Sequence, residues 1–200
     1  DMVKADCGGC NGCSRCCHGM GNSIILDPYD VYRMTTGMGK SMQELLAASV
    51  ELNVVDGVIL PNLKMQGTKE ACAYLDEEGR CSIHPYRPGI CRLFPLGRYY
   101  ENGGFSYFLQ TEECAKENRS KIKVSKWIDT PDLTRNQQFT LQWHDLLHAM
   151  EERLTGEDEG KQQEENLLLL RLFYLLPYKG TIDFYSQFTE RMEYWNEQIR

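Results

Sequence analysis

The hydrophobic positions of the last third of the chain recur at helical spacing and predict three helices. They cover about residues 132–155, 162–176 and 181–198. Glycine and proline residues separate them. The run LLLLRLFYLL in the second helix is too short to span a membrane and contains Arg171, so we interpret it as a buried core helix.

The first third of the chain contains two predicted short helices with recognisable caps. Asp27-Pro28 supplies an N-cap and a first-turn proline for a helix that ends near Gly37. Ser41 begins the second helix, and Glu44, three residues later, completes a capping box. These signals set the start of each helix more firmly than its end.

The middle of the chain reads as short strands and turns. Strands are predicted at residues 54–60, 62–66, 71–75 and 80–84 and in a hairpin around 102–104. Pro61 would separate the strand at 54–60 from the strand at 62–66. A short helix would follow Pro88. The stretch Lys121–Val124 alternates lysine with apolar residues, as a lysine-protected edge strand does. We therefore expect an α+β fold, with a metal-binding domain of loops, short helices and hairpins over 1–128 and a helical subdomain over 129–200.

Composition limits the protein class. The chain has 200 residues, 42% hydrophobic content and a formal charge of −7. At this length it can bury a core without disulfides. Residues 127–200 carry seven Lys/Arg against fourteen Asp/Glu, whereas residues 1–126 carry fifteen of each, which disfavours nucleic-acid binding. No apolar run approaches a membrane span and none resembles a signal peptide, so we expect a cytoplasmic protein without membrane contact.

Nine cysteines are the main chemical signal. They lie at Cys7, Cys10, Cys13, Cys16, Cys17, Cys72, Cys81, Cys91 and Cys114. An odd number of thiols in a reducing compartment fits metal ligands or redox groups better than disulfides. Repeated C-x2-C steps bring thiolates together, as in zinc and iron–sulfur sites.

The adjacent pair Cys16 and Cys17 restricts the coordination. Neighbouring side chains diverge on a regular helix or strand, so one tetrahedral ion would not easily take both. They would then serve two centres, or one would bind metal while the other is redox-active or structural. Eight cysteines divide into two four-thiolate sites with Cys7 to spare.

The ordered motifs resemble the YkgJ-type cysteine-cluster family, a zinc- or iron-chelating CxxCxxCC domain. They are CNGCSRCC at 10–17, CAYL at 72–75, GRCSIH at 79–84, RP at 87–88 and CRLFPL at 91–96. The resemblance covers about residues 7–115 and implies that Cys114 is the last cysteine of the motif. Cys7 is an additional step outside the usual form. The helices after Thr130 lie outside the resemblance.

Spacing favours iron–sulfur over zinc without excluding zinc. Four-thiolate zinc sites usually combine two C-x2-C knuckles, whereas the later cysteines here are separated by eight, nine and twenty-two residues. A [4Fe–4S] cluster accepts ligands from several directions. The predicted metal ligands are Cys10, Cys13, Cys16, Cys17, Cys72, Cys81, Cys91 and Cys114. Arg87 and Arg92 could hydrogen-bond to sulfur and offset thiolate charge, or could equally form surface salt bridges.

Histidines are weaker candidates. His144 and His148 are four residues apart on a predicted helix, but a polar helix face explains them better than a metal pair. His18 and His84 are expected outside the ligand set, since enough cysteines are present.

Three functions follow from these observations. The leading hypothesis is an iron–sulfur protein in electron transfer or in a redox or group-transfer reaction, with a redox or protein partner. A non-catalytic zinc-stabilised interaction module and a metal storage or delivery protein are the alternatives. Whether the chain is an enzyme stays open, because no nucleotide-binding, nucleophile-elbow or metalloprotease motif is present.

Overall fold

The computed structural model describes residues 1–6, 8, 13–114, 116 and 118–199. In these residues the fold combines helices with two-stranded antiparallel ribbons, and the α+β prediction is confirmed. The helices are α1 (Pro28–Met38), α2 (Met42–Ala48), α3 (Gly89–Leu93), α4 (Val124–Ile128), α5 (Leu133–Leu154), α6 (Glu159–Leu170) and α7 (Phe184–Gln198). The strands are β1 (Met2–Asp6), β2 (Val50–Val55), β3 (Val58–Leu63), β4 (Met65–Gln66), β5 (Ala71–Cys72), β6 (Leu96–Glu101), β7 (Gly104–Leu109) and β8 (Ser120–Lys123).

The ribbons pair strands that are neighbours in sequence, with one exception. β2 pairs with β3, β4 with β5, and β6 with β7, whereas β1 pairs with the distant β8. Short 3-10 turns occur at Arg15–Cys17 and His84–Tyr86, and a π-helical turn, Arg171–Leu175, continues α6. Because β1 pairs with β8, the chain closes on itself around the whole cysteine-bearing region.

The capped helices form as the sequence indicates. The Asp27 carboxylate accepts a hydrogen bond from the Asp30 amide at 2.8 Å, and the Asp30 carboxylate accepts one from the Asp27 amide at 3.2 Å. Gly39 ends α1 in the left-handed conformation, with φ 64°. Ser41 and Glu44 form the predicted capping box of α2. Both helix starts are confirmed.

The β2–β3 hairpin differs from the prediction that Pro61 separates two strands. The turn is Asp56-Gly57, whose φ angles of 50° and 81° suit a two-residue hairpin turn. Pro61 lies inside β3 opposite Leu52. Counting from the turn, this is a pair that exchanges no ladder hydrogen bonds, so the missing N–H of proline does not interrupt the ribbon.

The hairpin predicted over 71–75 and 80–84 is also different. Cys72 pairs with Met65 in the β4–β5 ribbon instead. Only a single bridge joins Leu75 to Cys81 across the turn that follows. The turn itself is held by the Asp76 carboxylate, which accepts from the Arg80 amide at 2.7 Å, so a loop replaces a regular ribbon here.

The main core joins α1 and the β2–β3 hairpin to the C-terminal helices. Its largest fully buried side chains include Leu26, Phe139, Phe173 and Tyr174. The Tyr174 hydroxyl donates to the Leu26 carbonyl at 3.0 Å. The three predicted C-terminal helices are present. The segment interpreted as a buried core helix is buried at Leu169, Leu170 and 172–174, whereas Leu167 and Leu176 at its ends are exposed. One core therefore contains residues from both sides of position 128, and the division into two domains stays a prediction.

A single buried amide ties the hairpin to α6. The Asn166 side chain is 4% exposed, accepts from the Ile59 amide at 2.6 Å and donates to the Gly57 carbonyl at 3.2 Å.

We expect Asn166→Ala to lower the free energy of unfolding by about 1 to 3 kcal/mol, since both backbone groups lose their partner. Urea unfolding measures this change. The matched substitution Gln163→Ala, at an exposed position of the same helix, should change stability by less than about 0.5 kcal/mol. Equal effects of the two substitutions would contradict the assignment.

Candidate metal centre

Five cysteines from four segments of the chain influence one another electrostatically, and three of them, Cys72, Cys81 and Cys91, pack against the main core. Cys16 and Cys17 lie on the first 3-10 turn, Cys72 on β5, Cys81 after the Asp76 turn and Cys91 on α3. Negative charge on the Cys16, Cys72 and Cys81 sulfurs raises the pKa of neighbouring thiols of the group, which places these sulfurs close together. None of the described cysteines forms a disulfide.

Backbone hydrogen bonds attach the cysteine turn to the β4–β5 region. His18 forms a bridge with Ala71, and the Gly19 amide donates to the Glu70 carbonyl at 2.9 Å. The Cys17 amide donates to the Ser14 carbonyl at 2.8 Å and closes the turn. Two cysteines on this turn are thereby brought beside Cys72.

The helix that carries Cys91 is anchored at both ends. At its start the Asp30 carboxylate of α1, which is 2% exposed, accepts from the Gly89 amide at 2.6 Å. At its end the Trp127 indole N–H donates to the Leu93 and Phe94 carbonyls, each at 3.2 Å. A five-residue helix has little stability of its own, so these contacts fix the position of Cys91.

The thiols of the adjacent residues Cys16 and Cys17 interact with each other. The Cys17 thiol donates a hydrogen bond to the Cys16 sulfur, which lowers the pKa of Cys16 to about 6 although burial opposes the shift. The pKa of Cys17 is raised for the same reason. Successive side chains diverge by about 120° on a 3-10 turn, so the turn alone does not explain this interaction. The charges of Cys72 and Cys81 also raise the pKa of Cys17.

Burial dominates the other thiols of the group. It raises the pKa of Cys72, Cys81 and Cys91, most strongly for Cys91. Thiolates in such a place require compensating positive charge. Soft sulfur donors without disulfides fit a thiophilic metal, whose positive charge would supply that compensation.

The two predicted arginines occupy different surroundings. Arg87 is half-buried, and its charge lowers the pKa of Cys16 and opposes the increase at Cys81. The Arg92 guanidinium lies 5.9 Å from the centre of the Tyr29 ring and interacts with Asp30. Arg87 is therefore the arginine placed to offset thiolate charge.

Three predicted ligands remain, Cys10, Cys13 and Cys114. Cys13 and Cys114 are half-buried and free, and Cys10, with the spare Cys7, lies outside the described residues. Within the described part of the chain, no three cysteine, histidine, aspartate or glutamate side chains converge on one point that could hold a single ion. The ligand set therefore stays a prediction.

The histidines have other partners. The His18 ring makes a hydrogen bond with the Ser14 carbonyl at 2.9 Å, and His84 is exposed. His144 stacks on Tyr100 with 3.7 Å between ring centres, and His148 lies 3.7 Å from a Glu152 carboxylate oxygen. The polar helix face is the better description of the last pair.

Sequence reasoning missed two residues of this site. Asp30 was visible only as part of a helix cap, because its contact with Gly89 spans 59 residues. Burial raises the pKa of Tyr74, and the charges of the nearby Cys72 and Cys81 raise it further. The Tyr74 hydroxyl oxygen lies 2.6 Å from the Ser49 hydroxyl oxygen. The sequence indicated the place of Tyr74 only through the CAYL motif, in which it follows Cys72 by two residues.

Comparison with known proteins gives one match. The family model CxxCxxCC, described as "Putative zinc- or iron-chelating domain", matches residues 9–127, more than half of the chain. Searches of curated proteins and of solved structures give no match. Among the described residues, no helix has the length and apolar character needed to cross a membrane.

The low pKa of Cys16 can be tested by alkylation of chelator-treated, reduced protein. The thiolate reacts, so labelling of Cys16 should increase as the pH rises through about 6. Cys17→Ala removes the hydrogen-bond donor and should move the midpoint towards the ordinary value of about 8.5. Peptide-level mass spectrometry resolves the site, and Cys114→Ala serves as the control that leaves the midpoint unchanged. An unshifted midpoint in the parent protein would refute the hydrogen-bonded pair.

Proposed function

Since this chain belongs to the CxxCxxCC family of zinc- or iron-chelating domains, we propose that it holds an iron–sulfur cluster in thiolate coordination. A [4Fe–4S] cluster is the form we favour, in an electron-transfer, redox or group-transfer role. The observation that carries the proposal is the approach of Cys16, Cys72, Cys81 and Cys91 from four separate segments, with no disulfide between them.

The direction of approach supports a cluster over a single zinc ion. The thiols arrive from a turn, a ribbon and a helix, rather than from two C-x2-C knuckles. A cuboidal cluster accepts such ligands because its metal atoms point in different directions. The proposed ligands are drawn from Cys10, Cys13, Cys16, Cys17, Cys72, Cys81, Cys91 and Cys114.

The protein's own residues define the surroundings of the metal. When bound, the cluster would supply one-electron exchange. Tyr74 and the core beneath Cys91 exclude water on the inner side. Arg87 places positive charge beside Cys16 and Cys81. Asp30 and Trp127 keep the helix that carries Cys91 in place.

Anaerobic purification with iron, sulfide and zinc analysis tests the proposal directly. We expect iron and acid-labile sulfide in equal amounts, together with a visible absorption that dithionite bleaches. Cys72→Ser should lose most of the iron, whereas Cys7→Ser, at the cysteine outside the proposed set, should retain it. Colourless protein with zinc and no sulfide would overturn the cluster and support the zinc-stabilised module. Variable metal content with easy exchange would support storage or delivery.

The role of Arg87 can be measured separately. A cation close to the cluster stabilises the reduced, more negative form, so Arg87→Gln should lower the reduction potential. Redox titration followed by visible absorption gives the potential. Lys40→Gln, at an exposed residue between α1 and α2, should leave it unchanged. An unaltered potential in Arg87→Gln at full iron content would contradict the proposed role.

A further inference from the structure

Two arginines beside the Cys91 helix have buried donors without a partner. Arg92 on α3 is 4% exposed, and neither its Nε nor its Nη1 makes a hydrogen bond. Arg33 on α1 donates through Nη2 to the Pro85 carbonyl, but its Nη1 is also buried and unpartnered. Buried guanidinium donors nearly always have an acceptor, so these three require one.

Both guanidiniums lie around one tyrosine. Their central carbons are 6.0 Å (Arg33) and 5.9 Å (Arg92) from the centre of the Tyr29 ring. The Tyr185 ring stacks on Tyr29 at 5.7 Å, and its buried hydroxyl approaches Asn136 and Tyr29 without forming a hydrogen bond of good geometry. Unsatisfied donors from α1, α3 and α7 are thus gathered in one region.

The nearby carboxylate does not satisfy these donors. Asp30 accepts hydrogen bonds from the Gly89 and Asp27 amides. Among the ion pairs of the described residues, none involves Arg33 or Arg92. Burial raises the pKa of Asp30, and the charge of Arg92 is the second contribution to the lowered pKa of Arg33, after burial. The region therefore has an excess of hydrogen-bond donors, while Asp27, Asp30 and Asp129 supply negative charge nearby.

We infer that Arg33 and Arg92 bind a small oxyanion, a carboxylate or a phosphate group, beside Tyr29. A planar guanidinium matches the oxygens of either group, and a negative charge would relieve the repulsion between the two cations. The Tyr185 hydroxyl can donate to the same anion. Arg33 is only half-buried, which leaves that side of the site open to solvent.

The position of this site gives it a functional meaning. Arg92 directly follows Cys91, so a bound oxyanion would lie next to the candidate metal centre. An anionic substrate or effector is then the class of small molecule that the protein accepts. This last step rests on the proposed function, whereas the anion site itself does not.

Isothermal titration of the protein as purified, with its metal, tests the site. Sodium phosphate and sodium acetate are titrated separately, so that the two sources of the oxyanion are distinguished. We expect saturable binding of at least one, weakened at least about tenfold in Arg33→Gln, which loses one charged donor group. Arg171→Gln, an exposed arginine on the π-helical turn, is the matched control and should bind as the parent does.

Two further measurements complete the test. Tyr185→Phe should bind more weakly than the parent, because it removes one donor and keeps the ring. Metal and sulfide content should be equal in Arg33→Gln and the parent, which separates this site from the metal centre. The inference is overturned if neither anion binds saturably, if Arg33→Gln binds as tightly as the parent, or if binding appears only after metal removal. The last result would mean that the donors serve the metal site.

Discussion

The packing of α1 against the C-terminal helices is the constraint on which the rest of the structure depends. Tyr29 of α1 contacts Phe139 of α5 and Phe184 of α7, with ring centres 6.2 and 5.0 Å apart. Each such aromatic pair contributes about 0.5 to 1.5 kcal/mol beyond the burial of its surface. The pair Arg135–Asp183, at 2.6 Å, is exposed, so solvent screens it and it contributes little. Ring packing therefore fixes α1, and the next residue, Asp30, then sets the position of the Cys91 helix.

The candidate site combines two opposing electrostatic tendencies. Its inner thiols are buried, which favours the neutral form, whereas the Cys16–Cys17 pair and Arg87 favour a thiolate at the outer turn. Without metal, Cys16 is therefore the thiol of this group that ionises most readily, whereas Cys17, Cys72, Cys81 and Cys91 favour the protonated form. Metal binding would release the remaining protons, so metal affinity and pH are coupled at this site.

Local signals predicted much of the fold. The caps at Asp27 and Ser41, the glycine turn after β6 and the three C-terminal helices were visible because each depends on neighbouring residues. The β2–β3 hairpin was misread because Pro61 outweighed the Asp56-Gly57 turn, although an Asp-Gly pair between β-branched residues was a sufficient signal.

Spacing identified the cysteine clusters but not their geometry. Cys72 is close enough for its charge to raise the pKa of Cys81, and the Cys17 thiol interacts with Cys16, but the spacing specifies neither interaction. Arg87 and Arg92 looked equivalent in sequence, because only the tertiary structure turns one towards sulfur and the other towards Tyr29. Contacts between distant segments, such as Asp30 with Gly89, leave no local pattern.

Trp127 gives the protein an internal optical probe. The chain has three tryptophans, and Trp143 and Trp195 are buried in the main core. Trp127 is half-buried and bonded to the end of the short helix that carries Cys91. Its indole emission therefore reports on that helix, while the other two provide a constant background. Fluorescence can thus follow events near Cys91 in the unmodified protein, without an attached dye.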